Sequence, residues 1–474
     1  MPLILGTNSI KDTGYDVANS AKWNRADGAY MDRTFSSAGN RDKWTYSLWV
    51  KKCKNGVEQR LLTTSDNATF DDNIRFNSDD TFNVICNNAT VLTTNRKFRD
   101  PSAWYHICVI WDSGNSTSGD RCKLFVNGTR ETSFSTESYP SQNQDSFINN
   151  NTRHYIGVTN VTANSHFFDG YLTEIVFQND SADSPVDKFG EFDSDTPTIF
   201  KPIDVSDLTF GTNGFYLDFE DSSALGNDVS GNNNDFSLTN FSATDQSTDT
   251  CTNNFATMNN LVVNTSAESS FAEGNLQVST TNSGAFGAVS TIGVSSGKWY
   301  WEVKPTQIQN KNAIGVTAAG STDAINNHRP GDGAFSVGIR SSGDVRKNGS
   351  SESGSWDSFT TSDIVGVALD LDNNKLYFSK NGTFMNSGDP TSGSTGTGAI
   401  SITDPASTTD GFYFFAFGDP GQGSGTANIA QFNFGSPPYA VSSGNADGEG
   451  FGNFEHAPPS GYFALCTKNL AEYG

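Results

Sequence analysis

The chain has 474 residues, 12 % of them aromatic, and a formal net charge of −23. That aromatic content argues against wholesale disorder, and the length calls for more than one core. So acidic a surface repels phosphate backbones and anionic lipid, which disfavours nucleic-acid binding and membrane insertion.

Residues 1–20 are polar and aperiodic and read as an N-terminal arm. Met1-Pro2-Leu3-Ile4-Leu5-Gly6 lacks the basic flank and long apolar stretch of a secretory signal, and no run approaches the roughly 20 apolar residues of a membrane span. Synthesis in a cytoplasm is therefore expected. From about Trp23 a period-two pattern begins, and strands are predicted at 45–50, 82–86, 104–111, 123–126, 154–158 and 170–177. The stretch from Trp104 to Trp111 is apolar on both faces, as a central strand should be. Lys123-Leu124-Phe125-Val126 runs into Asn127-Gly128, a tight-turn dipeptide. Residues 21–180 are thus expected to form one β-sandwich.

Residues 181–250 change character, with Pro185, Pro197, Pro202, many aspartates and the run Asn232-Asn233-Asn234. They are expected to form an ordered connector. A second sandwich is predicted over 251–474, with strands at 298–303, 313–316, 335–339, 412–417 and 431–434. Its clearest hairpin runs from Asp363 to Asp372, turns at Asn373-Asn374 and returns along Lys375-Leu376-Tyr377-Phe378. No helical repeat of apolar residues exceeds two turns, so the fold class is all-β. Cys53, Cys86, Cys108, Cys122, Cys251 and Cys466 show no CxxC spacing, and reduced, mostly buried thiols are expected.

Few residue patterns point to chemistry. Asp218 and Glu220 share a strand face, but a solvated sheet face explains them without invoking the paired carboxylates of a glycosidase. Asp71-Asp72 and Asp79-Asp80 offer oxygen ligands for Ca²⁺, but Asp-rich turns are the simpler account of them. Trp356, Tyr139 and the His328-Arg329 loop are the candidate binding residues, since an exposed aromatic ring beside polar groups stacks on sugars. For Trp356 the favoured reading is nevertheless a core-edge ring covering the sandwich end. His106 and His154 lie inside strands and read as satisfied core histidines. No nucleophile–base motif and no phosphate-binding glycine loop is present, so no catalytic residue, metal or other cofactor is assigned.

Trp104-Tyr105-His106, Lys123-Leu124-Phe125-Val126-Asn127-Gly128 and Phe168-Asp169-Gly170-Tyr171-Leu172-Thr173-Glu174 resemble the laminin-G/concanavalin-like sandwich family. Gly297-Lys298-Trp299-Tyr300-Trp301-Glu302-Val303, Ile314-Gly315-Val316 and the 363–382 hairpin resemble SPRY domains; Ser362-Asp363 departs from the usual Gly-Asp there. SPRY domains often place a Trp before this hairpin, which is why the covering role is favoured for Trp356. Ser37-Ala38-Gly39-Asn40-Arg41-Asp42-Lys43-Trp44, Gly190-Glu191-Phe192-Asp193, Gly211-Thr212-Asn213-Gly214-Phe215-Tyr216-Leu217-Asp218-Phe219 and Ala464-Leu465-Cys466-Thr467-Lys468-Asn469-Leu470 are similar to stretches of marine tailed-phage virion proteins, in which a laminin-G-like module precedes a SPRY module. The resemblance implies two concanavalin-like antiparallel β-sandwiches in tandem and a non-enzymatic fibre, knob or decoration protein on the virion surface. It further implies docking on other virion proteins through the arm, homo-oligomers with a trimer as the expected state, and contact with host surface glycans. The alternatives are a polysaccharide depolymerase using a sandwich cleft and a capsid decoration without a ligand.

Overall fold

Strands whose side chains alternate between two faces build both halves of this protein. The computed structural model describes residues 11–65, 70–160, 162, 165–263, 270–280, 286–308, 312–319, 329–361, 363–419 and 427–474. The chain divides into two units, Thr13–Thr252 and Asn253–Gly474, with Lys11 and Asp12 grouped with the second.

The first unit is a sandwich of two antiparallel sheets, each of eight strands among the described residues. One sheet runs in the order Thr129–Arg130, Cys122–Val126, Trp104–Asp112, Lys43–Lys52, Gly170–Asn179, Ser20–Trp23 and Gln246–Ser247, and Phe215–Leu217 also pairs with Gly170–Asn179. The facing sheet runs Phe134–Glu137, Ala89–Lys97, Thr81–Cys86, Asp71–Phe76, Gln59–Ser65, Arg153–Ile156, Tyr30–Thr34 and Ser237–Thr239. Aromatic rings fill the space between: Trp44 stacks on Trp111 at 6.1 Å and on Phe177 at 5.9 Å, and Phe177 stacks on Phe215 at 5.5 Å. Trp104–Asp112 is buried on both faces for two different reasons. Ile107, Val109 and Trp111 enter the sandwich core, whereas Cys108 and Ile110 meet Phe189, Val205, Phe210 and Tyr216 on the outside.

That outer layer corrects the expected connector. Residues 181–250 belong to the first unit: they coat the outer face of its first sheet and add Phe215–Leu217, Ser237–Thr239 and Gln246–Ser247 to the two sheets. Pattern reading misses this because the segment has only strands of two or three residues and packs with isolated Phe and Val side chains. The expected arm changes likewise. Thr13 onward groups with the first unit, the Val17 N–H donates to Thr252 Oγ1 (3.1 Å), and Ser20 opens a strand. Residues 1–10 lie outside the described set.

Two buried acid–base features hold the coat down. Lys51 Nζ and Asp249 Oδ2 are 2.6 Å apart and both essentially inaccessible, and the Trp104 Nε1–H donates to Asp249 Oδ1 at 3.1 Å. Glu174 sits at a register shift in Gly170–Asn179 with φ +51°, where the Tyr216 hydroxyl lies 3.0 and 2.9 Å from its carboxyl oxygens. Burial raises the Glu174 carboxyl to about 8 against that hydrogen bond, with the charges of Asp218 and Glu220 adding to the rise.

The second unit pairs a seven-stranded sheet with a nine-stranded one, again among the described residues. The first runs Met258–Val263, Phe286–Val294, Tyr413–Asp419, Ala313–Thr317, Ser336–Arg340, Val345–Lys347 and Ser350–Ser351. The second is centred on Lys298–Gln307, Val365–Asp370 and Lys375–Lys380 and includes Ile429–Asn433 and, in parallel, Phe463–Ala464. It too is coated: Tyr300, Ala368 and Tyr377 on its outer face pack on Phe255, Phe454, Tyr462 and Cys466. Glu302 anchors this coat by accepting the N–H groups of Glu455 (2.9 Å) and His456 (2.7 Å). The chain ends in a short helix, Thr467–Tyr473.

Asp249→Ala removes the carboxylate facing a buried ammonium and should lower the stability of the first unit by roughly 3–5 kcal/mol, read from its denaturation midpoint. A loss below about 1 kcal/mol would show that the coat holds without the pair. Glu174 makes a pH-dependent prediction. Between about pH 4.5 and 8 the folded state keeps a proton that the unfolded chain has lost, so this residue's contribution to stability falls as pH rises and levels off above about 8. The melting temperature of Glu174→Gln should therefore gain on that of the original protein from pH 5 to 8 and hold its lead beyond; a constant difference across that range would refute the buried-proton account.

Candidate functional site

In the first unit the coat occupies the outer face of one sheet, and the outer face of the other carries a concentration of polar side chains. Met31, Leu62, Ile74, Phe76, Phe82, Val84 and Ile156 turn into the core. Alternation then places Asp32, Thr63, Asn73, Arg75, Asn83 and Tyr155 on the opposite face. Register aligns them in rows across the strands. Tyr155 stands opposite Asp32 and Thr63, Thr63 opposite Asn73, and Asn73 opposite Ile85. Arg60, Arg75, Asn83 and Thr93 form the neighbouring row.

These outward-facing groups are nevertheless deep: Thr63 and Asn73 are 0 % exposed, Arg60 4 % and Asn83 5 %. Four of their polar atoms, Arg60 Nε, Thr63 Oγ1, Asn73 Oδ1 and Asn83 Oδ1, have no hydrogen-bond partner. A buried donor or acceptor left unmade costs roughly 1–3 kcal/mol, so such a concentration is rarely kept by a purely structural surface. The charges of the face are balanced locally. Glu58 Oε1 lies 2.9 Å from Arg60 Nη2 and 3.1 Å from Arg75 Nη1, and Asp32 Oδ2 lies 2.7 Å from Arg153 Nε. Burial, then the neighbouring Arg60 charge, draws the Arg75 guanidinium down from its usual range. Tyr155 and Tyr30 meet edge to face at 6.4 Å, with the Arg153 guanidinium 5.6 Å from the Tyr155 ring. The face thus carries unpartnered donors and acceptors beneath its surface, no net local charge, and aromatic rings at one end.

The residues singled out from sequence fall elsewhere and are not assembled into one site. Trp356 is half-buried against the core of the second unit, edge-on to Phe378 at 6.4 Å, with its Nε1 buried and unpartnered. It therefore covers the sandwich end. Tyr139, in the first unit, rests on the core edge with its hydroxyl on Glu137. Arg329 forms an ion pair with Asp332, which also holds Arg340 at 2.9 Å. His328 lies outside the described residues. His106 bonds Ser47 Oγ at 2.8 Å, and burial holds its imidazole down to about 3. The acidic pairs are consumed internally. Asp72 accepts the N–H groups of Asn87 and Phe147, Asp79 accepts from Thr81, and Asp80 lies 2.6 Å from Lys52 Nζ and 2.9 Å from Arg99 Nε. Asp218 accepts the N–H of Glu220 at 3.1 Å. Among the described residues no three His, Cys, Asp or Glu side chains converge as a metal site would require.

Comparison with known proteins agrees with this architecture. Residues 26–184 match the concanavalin A-like lectin/glucanases superfamily, and residues 298–398 match the SPRY domain. The chain therefore carries a concanavalin-like module followed by a SPRY domain. Similar solved structures include a putative carbohydrate binding protein from Bacteroides ovatus, 11 % identical over 48 % of this chain and 60 % of that one, with a TM-score of 0.30. A heptameric SAP-like pentraxin from Limulus polyphemus is 13 % identical over 36 % and 80 %, with a TM-score of 0.28, and a human SPRY domain is 17 % identical over 35 % and 94 %, with a TM-score of 0.25. No curated protein sequence matches the chain.

Thr63→Val keeps the shape of a buried side chain and removes an unpartnered hydroxyl. The variant should be as stable as the original or up to about 1 kcal/mol more stable by chemical denaturation. A clear loss would mean that the hydroxyl has a structural partner and that the face is no ligand surface.

Proposed function

We propose that this protein is a non-enzymatic, carbohydrate-binding adhesive protein, and that the polar face of the first unit is where it holds its glycan. The observation that carries this reading is the two adjacent rows of unpartnered Arg60, Thr63, Asn73 and Asn83 atoms on one sheet face, which a glycan reaches by displacing the groups that cover them. A sugar hydroxyl both donates and accepts, so one class of ligand answers the arginine N–H and the three oxygens together. The neutral charge balance of Arg60, Arg75, Glu58 and Asp71 fits a neutral chain better than an acidic one. A concanavalin-like module is also a fold that lectins use.

The setting we propose is the surface of a tailed-phage particle, assembled after synthesis in the host cytoplasm. It rests on the sequence stretches named above. Homo-oligomerisation belongs to the same proposal, because single-site glycan binding is weak and gains from several sites on one assembly. Hydrolysis of the glycan is the less favoured reading. Cleavage needs two carboxyl groups flanking the scissile bond, whereas Asp32, Glu58 and Asp71 are each bonded to an arginine.

The test is calorimetric titration of the full chain with neutral oligosaccharides of host exopolysaccharide, beside Thr63→Val and Asn83→Leu. Each variant should bind about tenfold more weakly, the worth of one good hydrogen bond, and no new reducing ends should appear. Unchanged affinity in both variants would refute this location. Release of reducing ends would establish the depolymerase instead.

A further inference from the structure

We infer that a cleft beside this face, between the turn Asn24–Ala29, Phe167 and the strand Ser237–Thr239, is an additional subsite for one neutral pyranose of the same glycan, an inference that rests on the carbohydrate reading above. The cleft has a volume of about 530 Å³ and is lined by Arg25, Asp27, Tyr30, Phe167, Thr239 and Asn240, with Ala26 and Gly28 supplying backbone. That volume lies within the range of small-ligand pockets. Its shape follows from hydrogen bonds internal to the protein. Arg25 Nη1 donates to the Phe167 carbonyl at 2.6 Å, and Asn240 Nδ2 donates to the Asp27 carbonyl at 2.6 Å. Asn24 closes the turn by donating to Asp27 Oδ2 at 2.8 Å. Gly28, at φ +69°, allows the turn to pass Phe167, whose ring would stand 3.3 Å from any Cβ there. A site whose walls are already bonded loses little entropy when a ligand enters.

The chemistry of the lining selects the occupant. Tyr30 and Phe167 place two aromatic rings in the lining, the side-chain type that packs on a sugar ring. Arg25 and Asp27 cancel in charge, and the Thr239 hydroxyl and the amide oxygen of Asn240 add neutral partners, so a polyhydroxylated, uncharged ring suits the cleft better than an anion. Tyr30 also meets Tyr155 of the polar face edge to face, with ring centroids 6.4 Å apart, which sets the cleft beside that face. Arg25, Thr239 and Asn240 fall outside the 26–184 span matched to the superfamily, so the cleft is built in part by the segment that this chain adds to that module.

Thr239→Trp, on an edge strand that two strands separate from Thr63, fills the cleft away from the unpartnered atoms of the polar face. The full chain and this variant are titrated with ladders of neutral gluco- and manno-oligosaccharides of two to six residues, and hydrogen exchange is followed at residues 24–30. In the original protein affinity should climb with length and ligand should protect 24–30. In Thr239→Trp the longest oligosaccharides should bind about five- to tenfold more weakly, the shortest equally well, and protection at 24–30 should vanish. Phe167→Ala, which opens the cleft instead of filling it, should give the same loss, and it decides the matter where Thr239→Trp fails to fold. Equal binding of every length by a folded cleft variant, or no protection of 24–30 in the original protein, overturns the inference while leaving the polar face intact. Unchanged binding in both Thr63→Val and Asn83→Leu with loss in Thr239→Trp retains the cleft and removes the polar face. No binding of any oligosaccharide by the original protein overturns both.

Discussion

The first unit depends on a buried ion pair between a central strand and the returning chain. Lys51 lies on the outer face of a sheet where an ammonium, once water is excluded, needs a counter-charge, and Asp249 supplies it from 198 residues further on. Lys22 on the same face is answered by Asp245 at 3.7 Å. With these charges neutralised, residues 181–252 can lie over the sheet and bury Cys108, Ile110, Phe189 and Phe210 there. The second unit solves the same problem with the opposite sign: Glu302, buried on its sheet, is satisfied by backbone N–H groups of the segment that covers it.

This coating distinguishes the two outer faces of the first unit. One face of the first unit's sandwich is spent on stability, and the other keeps polar atoms that no part of the described protein satisfies. The cost of those atoms makes sense when a ligand repays it, because a site built to hydrogen-bond a hydroxyl discriminates strongly against molecules lacking one. Most of the face is rigid strand, which holds its donors and acceptors in place before binding.

Several motifs that caught attention in the sequence prove to be architectural. Ser37–Asn40 and Gly211–Gly214 meet through an asparagine knot: the Gly39 N–H donates to the Asn149 carbonyl, Asn149 Nδ2 to Asn179 Oδ1, and Asn213 Nδ2 to Asn149 Oδ1. Gly39 is required because a Cβ there would come within 2.3 Å of Asn149 Oδ1. The C-terminal Ala464–Leu470 stretch is tied down by Asp447, whose Oδ2 accepts from Ala464 N–H and Asn469 Nδ2. These residues specify loop closure and do not by themselves mark a binding site.

Alternation of apolar and polar side chains determined the all-β class, most central strands and the tandem modules, because period two is a local property that any burial of one sheet face imposes. It also displayed the polar row itself: in Asp71-Asp72-Asn73-Ile74-Arg75-Phe76 and Thr81-Phe82-Asn83-Val84-Ile85-Cys86 one parity is largely polar. Only the tertiary structure decided that this polar parity is deep and unpartnered while the apolar Trp356 is a cover, since depth depends on what distant segments pack beside a strand. The same holds for the coat. Whether 181–250 connects two domains or clothes one rests on contacts such as Lys51 with Asp249, and no local pattern encodes a pair so far apart in the chain.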